Sequence, residues 1–74
     1  MLSLVMVEPG KKVEVVEIRG GRLLAKRLSD MGIYPGVELE VVSNIGQGPV
    51  IVAREGNRIG IGLGMAHKII VKTV

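Results

Sequence analysis

The sequence predicts an all-β domain, mainly β with one short helix, folded as a small closed or nearly closed barrel of about five strands. Three observations carry this expectation. Hydrophobic residues make up 47% of the chain but aromatics only 1%, so the core must be Val, Ile and Leu, side chains that suit pleated strands. Short runs alternate apolar and charged residues with a period of two. Pro-Gly, Gly-Gly and tight-turn residues separate those runs at hairpin spacing, as in a small barrel.

The 74 residues provide for a single domain, 1–74. There is no cysteine, which excludes disulfides, thiolate metal sites and cysteine nucleophiles, and fits a reducing compartment. Ten basic residues against seven acidic ones leave a net charge of +3. That is compatible with an acidic partner, a membrane surface or nucleic acid, and too small to choose among them. No apolar run approaches the roughly 20 residues of a membrane span. The opening "MLSLVMVEPG" has neither a basic start nor a small-residue cleavage site, so a cytoplasmic protein without a signal peptide is expected.

The elements follow in order. "LSLVMV" is an apolar lead-in that can pack across the domain, ended by Pro9-Gly10. "KKVEVVEIRGG" is a strand whose alternation slips by one residue near Val15-Val16, which predicts a bulge or sharp bend. After Gly20-Gly21 the period changes to that of a helix. Leu23, Leu24, Leu28 and Met31 are expected on one face, with Arg22, Lys26, Ser29 and Asp30 facing away. Gly32 and Ile33 then give a Schellman stop paired with Leu28. Tyr34-Pro35-Gly36-Val37 has the type II turn signature. "VELEVV" is a half-buried strand, "SNIGQGP" a loop and "VIVAR" a strand. "EGN" is a tight hairpin in which Gly56 and Asn57 tolerate positive φ. "RIGIGL" is a strand, "GMAH" a single turn with Ala66 inward, and "KIIVKTV" the last strand, expected at a sheet edge.

Together these segments resemble the FeoA family. The family pattern L-x-x-[ML]-G-[IL]-x-P-G is met from Leu28 to Gly36, the "GP" loop at Gly48-Pro49, and the closing A-x-x-I-x-V at Ala66, Ile69 and Val71. The resemblance covers essentially the whole chain, and departs from the pattern at Gly62, where a polar or basic residue is expected. It implies an SH3-like β-barrel and a small cytosolic accessory protein of bacterial ferrous iron uptake. The implied partner is the membrane transporter FeoB, which carries a cytoplasmic G domain, so that the chain would be peripheral to the inner membrane through that partner. The module is also similar to the C-terminal domain of iron-dependent repressors. Such a regulatory domain normally follows a helix-turn-helix region, for which these residues leave no room.

Chemistry finds little support. "GIGLG", Gly60 to Gly64, has neither the spacing of a dinucleotide fingerprint nor the Gly-Lys-Ser/Thr of a phosphate loop. Gly60 and Gly62 are instead expected where a neighbouring backbone passes close to a strand, with Ile59, Ile61 and Leu63 pointing inward. His67 is the only histidine and a weak metal candidate, since a site needs about three or four protein ligands. No serine or threonine has an evident base, so no enzyme activity and no cofactor are expected. The basic residues Arg19, Arg22, Lys26, Arg27, Arg54 and Arg58 make RNA binding an alternative. With no aromatic platform for bases, no nucleic acid is expected. The remaining candidate is an interaction surface of Arg22, Leu24, Arg27, Met31, Tyr34 and Pro35, with Tyr34 as an amphipathic anchor. Homo-oligomerisation stays open.

Overall fold

The computed structural model describes residues 1–74. It contains β1 (Leu2–Ser3), a 3₁₀ turn (Leu4–Met6), β2 (Lys12–Ile18), α1 (Arg22–Asp30), β3 (Glu38–Ser43), β4 (Val50–Arg54), β5 (Asn57–Ile61), α2 (Leu63–Ala66) and β6 (Ile69–Thr73). The strands form one antiparallel sheet in the order β1-β6-β2-β3-β4-β5. The fold is mainly β, as expected, with six strands rather than about five. The extra strand comes from the lead-in: Leu2 and Ser3 pair with Val71 and Ile70.

Alternation in the strands produces the core. Val13 and Val15 of β2, Leu39 and Val41 of β3, Val50 and Val52 of β4, Ile61 of β5, and Ile69 and Val71 of β6 are all buried on the inner face. The curled sheet has no ladder joining its outer strands β1 and β5. Between them α2 packs on the 3₁₀ turn, and the Ser3 hydroxyl bonds to the carbonyls of Ala66 and His67 at 3.4 Å. Leu4, Val7 and Ala66 complete the core there. Asn44 holds the lead-in in place, donating from Nδ2 to the carbonyls of Val5 (2.6 Å) and Val7 (2.9 Å).

The local signals account for most of the path. The pairing of β2 with β6 shifts register between Val15 and Glu17, at the slip in the alternation. A second shift, between Val41 and Ser43, has no such mark in the sequence. The Schellman cap forms: Ile33 N–H bonds Leu28 C=O at 2.8 Å and Gly32 N–H bonds Ser29 C=O at 2.9 Å, with Gly32 at φ +86°. The type II turn forms too, with Val37 N–H on Tyr34 C=O at 3.1 Å and Gly36 at φ +97°.

Four expectations need correction. Leu23 does not share the buried face of α1 but is 84% exposed, because it sits about 100° round the helix from Leu24. The hairpin places positive φ on Glu55 (51°) and Gly56 (83°), not on Asn57, which is already paired with Arg54. β6 is not an edge; β1 and β2 flank it, and the edges are β1 and β5. Finally, β5 ends at Ile61, Leu63 opens α2, and no backbone crowds the glycines. A Cβ on Gly60 would meet the Ile51 side chain at 3.4 Å, and one on Gly64 would meet nothing within 4 Å.

Glu55 carries the strain of a left-handed conformation that favours Asn or Gly. Glu55→Asn should stabilise the fold by about 1 kcal/mol, raising Tm by about 4–8 °C in a thermal melt. Asn44→Ala removes a two-carbonyl anchor and should cost about 1–3 kcal/mol in chemical denaturation.

Candidate partner-binding site

The loop from Gly32 to Val37 and the β4–β5 hairpin meet through one side chain, Arg54. Its Nη1 donates to the Gly32 carbonyl at 2.9 Å, and its guanidinium lies over the Tyr34 ring, 5.6 Å from the centroid. Nη2 is also 4.0 Å from the Glu55 carboxylate. The Arg54 side chain is only 27% exposed, so these contacts are partly shielded from water and the cation–π contact gains strength accordingly. Gly32 is needed for close approach as well as for its φ: a Cβ there would stand 2.8 Å from Arg54 Nη1. From its other side the loop is tied to β2, through Val15 N–H to Val37 C=O and Gly36 N–H to Val15 C=O, both 2.8 Å.

Tyr34 is therefore held on two sides and remains 43% exposed. Pro35 is exposed at the tip of the same turn. Met31, which caps α1, is partly buried against the core, and so is Leu24. Arg22 and Arg27 are both exposed. At about 100° per residue, Arg22 and Leu24 lie on nearly opposite sides of α1, so the six residues do not make one continuous surface. Leu23 and Arg27, four apart, are neighbours on the solvent side. Two members of this region were not apparent in the sequence. Leu23 is expected among the core leucines of the helix, and Arg54 is expected only as one of the basic residues of a possible RNA-binding set. The three-residue spacing of Leu28 and Met31, which defines the buried stripe, is the signal that could have excluded Leu23.

The other candidates are plainly placed. His67 caps α2 and is exposed, and no group of three His, Cys, Asp or Glu is arranged to hold a metal ion. Arg19, Lys26 and Lys72 have carboxylate partners in Glu17, Asp30 and Glu14 at 3.3, 3.2 and 4.0 Å, all exposed or half-exposed pairs of small energetic weight. A shallow depression of ≈ 270 Å³ lies beside Arg54 on the outer face of the sheet, floored by Ala53 and rimmed by Lys12, Glu38, Glu40 and Glu55. It is smaller than the roughly 300–1,000 Å³ of ordinary ligand sites and is lined mainly by charge.

These elements define a small antiparallel β-barrel whose Gly32–Val37 loop is clamped by Arg54 and β2. Comparison with known proteins makes this specific. The FeoA domain matches residues 2–73, and the chain belongs to the FeoA family. A Methanocaldococcus jannaschii relative named as an Fe(2+) transport protein A is 40% identical over 72 residues, covering 97% of this chain and 87% of its own length. The crystal structure of an iron uptake regulatory protein, FeoA, superposes with a TM-score of 0.92 at 34% identity, covering 99% of this chain and 97% of that one. The crystal structure of T. acidophilum IdeR shares the fold at 20% identity with a TM-score of 0.86; the match covers 99% of this chain and 34% of that one. The SH3-like architecture is thus common to FeoA proteins and to one part of metal-dependent repressors.

Arg54→Ala should release the Gly32–Tyr34 segment while leaving the barrel folded. The expected loss is about 1–2 kcal/mol of stability, with greater acrylamide quenching of Tyr34, the only tyrosine in a chain without tryptophan.

Proposed function

We propose that this protein serves ferrous iron transport as a cytoplasmic accessory protein, acting by contact with the cytoplasmic part of a FeoB-type transporter. The observation that carries this is the FeoA match over residues 2–73, supported by the M. jannaschii relative's Fe(2+) transport name. The structure supplies a surface suited to the task. Leu23 of α1 is 84% exposed and Tyr34, in the turn after α1, is 43% exposed, with Arg22 and Arg27 exposed on the same helix as Leu23. Exposed apolar side chains of this size, rimmed by charge, are what a protein contact uses. Leu24, Met31 and Pro35 form the support and the turn that present them. The contact needs no cofactor, and the chain would modulate the transporter's assembly or activity without catalysing a reaction.

Titrating the folded protein with the transporter's cytoplasmic domain, followed by calorimetry, tests this reading. Binding in the micromolar range or tighter is expected. Tyr34→Ala and Leu23→Asp should each weaken it by about tenfold or more, the scale of an interface anchor. Absence of binding at high micromolar concentration, with both proteins folded, would overturn it.

A further inference from the structure

The two sheet edges are not alike. β1 is a two-residue strand that passes at once into the 3₁₀ turn, so it offers little backbone to a partner. β5 is different: five residues, Asn57 to Ile61, in unbroken register with β4, without Pro or bulges and with Arg58 as its single charged side chain. Its free side can be read from the hairpin. A two-residue turn joins Arg54 to Asn57, so that pair exchanges hydrogen bonds, and the alternation continues with Val52–Ile59 and Val50–Ile61. Arg58 and Gly60 are the intervening residues. Their N–H and C=O groups point away from β4, and none of them takes part in a turn, loop or cap hydrogen bond. Both residues are exposed.

We propose that this edge is a homodimer interface, in which β5 pairs antiparallel with β5 of a second copy about a two-fold axis through Ile59. In that register Arg58 stands opposite Gly60 of the second copy, and Gly60 opposite its Arg58. All the free groups of Arg58 and Gly60 are then used, in four inter-chain hydrogen bonds. The side-chain chemistry selects this register over its neighbours. An axis through Arg58 would set two arginines directly opposite, an unfavourable cross-strand pair. An axis through Gly60 would call on Gly62, whose carbonyl already accepts Ala66 N–H at 2.9 Å. The axis through Ile59 instead places a glycine beside each arginine. It also brings the two half-buried Ile59 side chains together as a non-hydrogen-bonded pair, about 4.5 Å apart at Cα. The contact is made by β5 alone, so it does not depend on the transporter reading above.

The chain has no cysteine, which makes the test clean. Sedimentation of the wild-type protein from micromolar to millimolar concentration should show the mass doubling. Gly60→Pro removes an N–H that β4 does not use, so the variant should keep its circular dichroism and sediment as a monomer. Under mild oxidation Ile59→Cys should cross-link to a disulfide dimer. Asn57→Cys should not, because its counterpart lies four residues, or about 13 Å, along the paired strands. A wild-type protein that stays monomeric at millimolar concentration overturns the proposal. So does a dimer that survives Gly60→Pro, or equal cross-linking of the two cysteine variants. If Gly60→Pro fails to fold, the cysteine pair decides.

Discussion

The structure depends on the bend in β2. This one strand pairs with β3 through Lys12 to Glu14 and with β6 through Val13 to Ile18, and its register shifts between Val15 and Glu17. A flat strand could not put Val13 and Val15 against β3 and β4 while carrying Ile18 round to β6. The extra residue lets the sheet turn a corner, and the curl it permits encloses a core of Val, Ile and Leu without any large aromatic side chain. Val15 has a second duty. Its N–H and C=O hold Val37 and Gly36, so the turn carrying Tyr34 is registered to the same strand that shapes the barrel.

That coupling explains why the exposed region around Tyr34 is ordered. A turn containing Pro35 and Gly36 would have no fixed position on the surface by itself. Here β2 grips it at one end, and Arg54 reaches across from the β4–β5 hairpin to Gly32 and Tyr34. A side chain held in this way has already lost much of its conformational freedom in the free protein. Four of the ten basic residues, Arg19, Lys26, Arg54 and Lys72, stand within 4.0 Å of a carboxylate.

Local signals were read from the sequence with good fidelity. The β2 bend, the Schellman cap at Gly32 and the type II turn at Gly36 each depend on a few adjacent residues, and each formed. The misplacements share a physical cause. Leu23 is the same residue type as Leu24, and the two differ in where each falls on α1 relative to the stripe of Leu28 and Met31 that packs on the barrel. Glu55 occupies a left-handed position because the register of β4 and β5 fixes where the two-residue turn must fall, against the preference of its own side chain. Arg54 acquires its role from Gly32, which is 22 residues away in sequence.

By itself the sequence determined the composition of the core, the strand and helix periods, the turn chemistry, and the family pattern from Leu28 to Gly36. Those properties are local, set by steric limits on neighbouring residues and by the two-fold or 3.6-fold repeat of side chains. The tertiary structure alone decided which strands are edges, and that the lead-in supplies β1 and a plug for the barrel. It also decided which cation locks the Tyr34 turn. These outcomes follow from pairing between distant segments, such as Leu2 with Val71 and Asn44 with Val5, whose free energy depends on the whole curled sheet and leaves no mark on either segment alone.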